Sequence, residues 1–136
     1  MLKISVANLL SRRLPIKEIR QIAERVLIEE GIEEGEVSVV LAGDELLLEL
    51  NRKYRGVDKT TDVLAFPFEE EECLGEVIIS VDAARDQARA YGHSIKEEIK
   101  ILLVHGILHL IGYDHEVEEE ASKMQARERG IIEGIG

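Results

Sequence analysis

Val37-Ser38-Val39-Val40-Leu41-Ala42-Gly43-Asp44-Glu45-Leu46-Leu47-Leu48-Glu49-Leu50 is the stretch whose reading fixes the architecture. Val37, Val39 and Leu41 alternate with Ser38, Val40 and Ala42, the two-residue period of a strand. The period breaks at Gly43. Asp44 then stands as an N-cap, because its short carboxylate can accept from the backbone N–H groups that open a helix. Leu46, Leu47, Leu48 and Leu50 give that helix its apolar residues. A strand running straight into a helix is half of a β-α-β unit.

Outward from this turn the same grammar repeats. Residues 2–7 are apolar-rich and β-prone, and Pro15 stands where a first helical turn tolerates it. Ile16, Ile19, Ala23, Val26 and Leu27 follow at helical spacing, with Gly31 as the stop. On the other side, Asn51 to Thr61 is polar and irregular. Val63-Leu64-Ala65-Phe66 is a short strand that Pro67 ends, Glu69 to Glu72 is a solvated loop, and Glu76-Val77-Ile78-Ile79-Ser80 is another strand. Val81, Ala84, Ala88 and Tyr91 mark a third helix. Ser94 with Glu97 forms a capping box that opens a long apolar helix, ended by Gly112. Val117, Ala121 and Met124 mark a last helix that closes near Gly130. The order β-α-β-α-β-β-α-α-α predicts an α/β (α+β mixed) fold. It is a single domain over residues 1–136, with a mixed sheet of about four strands packed with helices. The early strands lie parallel, and the 63–80 pair is a hairpin.

Composition bounds the function. The chain has 136 residues, with 17 Lys+Arg against 28 Asp+Glu, a net charge of −11. An acidic protein binds nucleic acid only through a local cationic patch. The lone Cys73 excludes an internal disulfide framework and fits a reducing cytoplasmic setting. No apolar run approaches a membrane span of about 18 residues, so no membrane partner is expected.

Three of the four histidines, His105, His109 and His115, fall within eleven residues. His105 and His109 are four apart on the long helix and share a face, since four residues turn it by about 400°. Gly112 can take a left-handed conformation and return His115 toward them. Three imidazoles with an open fourth position are the pattern of a catalytic zinc, one per chain, at the end of the helix. His93 reads as a loop residue. The H-x3-H-x5-H spacing resembles that of metzincin proteases. Those enzymes carry Glu after the first His as general base, and here that residue is Gly106. Asp114 is the nearest acidic candidate for a proton-handling or imidazole-orienting role.

The dense cationic stretch runs from Asn51 to Asp62 and holds Arg52, Lys53, Arg55 and Lys59. A guanidinium can fork onto a phosphate, which singles out Arg55. The two clusters together, His105-Gly-x-Leu-His109-Leu-x-Gly-Tyr113-Asp114-His115 and Asn51…Tyr54-Arg55…Asp58…Thr61-Asp62-Val63-Leu64-x-Phe66-Pro67, strongly resemble the YbeY family of bacterial rRNA maturation endoribonucleases. The resemblance covers nearly the whole chain, including Gly75-Glu76-Val77-x-Ile79-Ser80. It implies a zinc-dependent single-strand endoribonuclease that acts in maturation of the small-subunit rRNA 3′ end and in ribosome quality control. The implied partners are RNA, the ribosomal small subunit and its assembly proteins. His105, His109 and His115 match the metal ligands and Arg55 the functional arginine. Thr60 stands where a proline is common, which loosens the loop, and Ala65 where a serine is common, which removes a hydroxyl. Two alternatives stand beside this reading: a metallopeptidase-like hydrolase, which Gly106 argues against, and a non-catalytic ribosome assembly factor with a bound zinc.

Overall fold

The alternation in residues 37–42 sorts the side chains of β2 (Gly35–Ala42) between two cores. Val37, Val39 and Leu41 join Val77 and Ile79 in the main core, while Ala42 packs with Leu47, Leu64 and Ile78 in a smaller one. The structure, a computed structural model, describes residues 1–70, 72–113 and 118–135. Around β2 the chain runs β1 (Leu2–Asn8), α1 (Ile16–Glu29), β2, α2 (Asp44–Arg55), β3 (Val63–Glu70), β4 (Cys73–Ser80), α3 (Val81–Tyr91), α4 (Ile95–Leu110) and α5 (Glu118–Ile135).

The sheet order is β1-β2-β4-β3. β1 and β4 flank β2 in parallel, because α1 carries the chain back between β1 and β2 and the antiparallel β3 carries it back between β2 and β4. β3 closes the edge antiparallel to β4. α2 covers the smaller core. The main core lies on the other face and is filled by α4, whose Ile99, Leu102, Leu103, Val104, Ile107 and Leu108 are all buried. A helix apolar on so many sides belongs in an interior. α1, α3 and α5 pack around it. No helix among the described residues is long and apolar enough to cross a membrane.

The element order, the mixed four-stranded sheet and the parallel-then-antiparallel pairing match the sequence reading. Four local expectations are corrected. The N-cap of α2 is Gly43, and Asp44 is the first helical residue. The acceptor for the Asp44 N–H is instead Asp82 Oδ2, at 2.9 Å. β3 runs through Pro67, which pairs with Gly75, and continues to Glu70 paired with Cys73. An edge strand tolerates proline, since a missing N–H there breaks no ladder on its open side. Glu70 is therefore a strand residue and not part of a loop. α5 passes through Gly130 to Ile135, held by the buried Met124 and Ile131 on either side of that glycine. Val117 lies outside the described residues.

Candidate functional site

α4 carries His105 and His109 one turn apart, both partly buried near the C-terminal end of the helix. α2 delivers Arg55 as its last residue. Gly56 follows in the left-handed region at φ 65°, which ends the helix there and turns the chain away. The buried Asn51 holds the turn. Its side-chain amide donates to the Lys59 carbonyl at 2.7 Å, and its carbonyl accepts from Val57 N–H at 3.2 Å. Thr60 Oγ1 donates to the Asp44 carbonyl at 3.2 Å, so the residue expected to loosen this loop ties it to the start of α2.

Arg55, His105 and His109 line one small cavity of about 40 Å³, together with Val63, Ala65 and Gly106. The structure thus brings together two sequence clusters about fifty residues apart, at the open end of α4 against the edge strand. Ala65 lines the cavity, so the hydroxyl its position lacks would have faced the site. Among the neighbouring cations, Arg52 is paired with Asp58 and Lys53 lies 5.3 Å from the centre of the Tyr54 ring. Arg55 carries no ion pair with a described residue.

The two imidazoles are oriented alike. His105 Nδ1 is 2.6 Å from Glu128 Oε1, and His109 Nδ1 is 3.0 Å from the Tyr113 carbonyl. A carbonyl only accepts, so His109 donates from Nδ1, and its neutral form carries the lone pair on Nε2. The Glu128 carboxylate imposes the same tautomer on His105. Imidazoles that donate from one nitrogen and coordinate through the other are the usual metal ligands, so these two side chains fit zinc. The His105 pKa is raised, first by the hydrogen bond to Glu128, with burial opposing and the charges of Glu128 and Asp62 adding to the rise. Asp62 is held by Gln87, whose amide donates to it at 3.2 Å. Among the described residues no three His, Cys, Asp or Glu side chains are grouped to share a metal. His115 and Asp114, the expected third ligand and acidic partner, lie outside those residues.

Gly106 settles one alternative in steric terms. A Cβ there would lie 2.6 Å from Val77 Cγ1 and 3.1 Å from Val63 Cγ2. The helix meets the sheet so closely that the position held by a peptidase's glutamate base has no room for a side chain. His93 lies away from the cavity and contacts the buried Glu98 at 2.6 Å, in keeping with its reading as a loop residue. Glu128 was not visible from sequence. It sits in a helix rich in Glu and Arg, and nothing in that pattern distinguishes it from its neighbours.

Comparison with known proteins matches this arrangement to one family. A family model described as Endoribonuclease YbeY matches residues 6–136. Proteins named Endoribonuclease YbeY are 41% identical in Bacillus licheniformis, over 89% of this chain and 85% of that one, and 46% identical in Aquifex aeolicus, over 93% and 88%. One from Pelotomaculum thermopropionicum is 48% identical over 81% of this chain and 79% of its own. The solution structure of a Thermotoga maritima protein superposes with a TM-score of 0.67 at 29% identity, covering 98% of this chain and 87% of that one.

Proposed function

Because this chain belongs to the YbeY endoribonuclease family, we propose that the cavity lined by Arg55, His105 and His109 is its RNA-cleaving centre. The enzyme is a nuclease, and its substrate in this reading is single-stranded ribosomal RNA near the small-subunit 3′ end. It works in the cytoplasm in contact with the ribosomal small subunit and its assembly proteins. The whole of residues 1–136 forms the catalytic domain. His105, His109 and His115 hold one zinc ion, which when bound supplies Lewis acidity at the reacting phosphate.

The protein's own groups account for the rest. His105 and His109 each donate from Nδ1, to Glu128 and to the Tyr113 carbonyl, which leaves the lone pair of the neutral rings on Nε2. Arg55 forks onto non-bridging oxygens of the scissile phosphate and stabilises the charge that builds up there. Asp114 takes or gives the proton that moves as the bond breaks. Lys53 and Lys59 contact flanking phosphates and set the position of the strand.

The single observation that carries this reading is that a guanidinium from α2 and two pre-oriented imidazoles from α4 open into the same small cavity. The test is cleavage of a defined RNA by purified protein, with and without chelator, beside metal analysis. Cleavage that chelation abolishes and zinc restores is expected. Cleavage indifferent to metal would overturn the zinc assignment, and no cleavage of any single-stranded RNA would overturn the site assignment.

A further inference from the structure

Two carboxylates outside the cavity lining stand behind the site's imidazoles, one in direct contact and one a step further away, and neither is marked by any sequence motif. Glu128 lies 23 positions from His105 and comes from a different helix, yet Oε1 meets Nδ1 at 2.6 Å. Both side chains are mostly shielded, at 19% and 35% exposure. A charged acceptor at that distance is among the stronger hydrogen bonds, and it fixes both the ring's orientation and its tautomer.

Glu30, at the end of α1, secures this arrangement. Its side chain is 12% exposed and accepts from Arg127 Nε at 3.0 Å. Arg127 Nη2 also reaches the Glu29 carbonyl, at 3.5 Å. Arg127 and Glu128 are successive residues of α5. Successive helix residues differ by about 100° around the axis, so pinning Arg127 to α1 sets where Glu128 projects. The Tyr113 hydroxyl lies 3.4 Å from both oxygens of Glu30, and the Tyr113 carbonyl is the acceptor for His109 Nδ1. One carboxylate at the end of α1 therefore touches Tyr113, which supports His109, and Arg127, the chain neighbour of the residue that supports His105.

We propose that Glu128 is a positioning residue for the metal-binding imidazole of His105, and that Glu30, through Arg127 and Tyr113, holds the supports of both His105 and His109 in register. This rests on the metal reading of the site. The two carboxylates act by fixing the donor atoms of the ligands. α5 is docked independently by the buried Met124 and Ile131, so replacing Glu128 removes the ring's partner and leaves the helix in place.

The test uses full-length protein, stripped of metal and titrated with Co²⁺ alone, whose visible absorption reports ligand geometry. Zinc affinity is read in parallel by competition with a chromophoric chelator. Glu128→Ala should weaken both metals by about 10–100-fold and alter the Co²⁺ band, and Glu128→Gln, which keeps an acceptor oxygen, should fall between it and the unmodified protein. Glu30→Gln should act in the same direction by less. Glu24→Gln, on the same helix, should leave affinity and spectrum unchanged. Metal-free thermal unfolding of the Glu128 variants, followed at a pH where the His105 ring is neutral, should stay close to that of the unmodified protein, which separates ring positioning from a merely structural role. Unaltered Co²⁺ affinity and spectrum in both Glu128 variants would overturn the assignment of Glu128, and the same result for Glu30→Gln would overturn that of Glu30. If the unmodified protein itself took up no Co²⁺ or zinc, the metal reading would fail and the proposal with it.

Discussion

The Ser80 hydroxyl meets the Asp44 carboxylate at 2.6 Å, and that contact joins the starts of two helices. Ser80 is fully buried and its Oγ also accepts from Ala83 N–H at 3.1 Å, which caps α3. In return, Asp82 in the first turn of α3 accepts from Asp44 N–H and caps α2. Asp82 thus serves the open end of α2, while Asp44 holds the hydroxyl that caps α3. Because α2 ends in Arg55, this joint anchors the helix that brings the guanidinium to the site. Ser80→Ala removes a cap and leaves a partly buried carboxylate without its donor. It should destabilise the protein by about 2 kcal/mol, read from the denaturant midpoint at unchanged slope. A loss below about 0.5 kcal/mol would show that the joint contributes nothing beyond an ordinary surface contact.

Gly106 offers a second test. An added methyl group would press on Val77, which is fully buried and β-branched, and cannot swing aside. Overpacking of this kind costs about 1–3 kcal/mol, more than the roughly 1 kcal/mol a helix gains from Gly to Ala. Gly106→Ala should therefore be less stable and should bind metal more weakly, because α4 must lift at the turn between His105 and His109. Gly106→Glu should show no peptidase activity. A Gly106→Ala protein more stable than the original would contradict the close approach of α4 to the sheet.

The raised His105 pKa sets a pH dependence whose sign can be worked out. Glu128 stabilises the imidazolium, so the folded-state value lies above the ordinary 6.5. In metal-free protein this contribution to stability is fully present below pH of about 6.5 and is lost as the pH rises through the folded-state value. Metal uptake runs the other way, since the proton of the imidazolium occupies Nε2. Zinc affinity should fall as the pH drops through that raised value. The check is a pair of pH series, metal-free thermal unfolding and zinc competition, run on the unmodified protein and on Glu128→Gln. The difference between the two proteins should shrink toward high pH in the unfolding series. A difference that grows with pH would contradict the assigned contact.

Much of this is legible in the sequence alone, and the reasons are local. The alternation of residues 37–42 and the apolar run after Asp44 each obey one period, so β2 and α2 announce themselves. His105 and His109 are legible because four residues make nearly one helical turn. Pro67 misleads, because whether a proline ends a strand depends on the strand's place in the sheet, and only the topology makes β3 an edge. Asp44 misleads for a similar reason. Its carboxylate has a rival donor in Ser80, which is 36 residues away and reaches it only in the folded sheet. Glu128 is invisible because α5 is dense in carboxylates, and only the docking of that helix, through Met124, Ile131 and the Arg127–Glu30 pair, chooses the one that faces His105. Local signals thus specify the elements and the first contacts of the site, and long-range packing specifies what stands behind them.

The measurement that bears most directly on the account is single-turnover cleavage of a labelled rRNA 3′ fragment by Arg55→Ala at saturating enzyme, with RNA binding measured in parallel. Arg55 lines the cavity with His105 and His109, and its reading is that of a group matched to the charge of the transition state. Arg55→Ala should slow cleavage by about 10²–10³, the scale of losing one preorganised donor, with zinc content and folding unchanged. Arg55→Lys should recover only part of the rate, because an ammonium cannot fork onto two oxygens. Loss of Lys53 or Lys59 should instead weaken binding and flatten its salt dependence. If Arg55→Ala cleaves at the original rate once saturated, the guanidinium only helps to hold the RNA, and the catalytic centre proposed here is wrong.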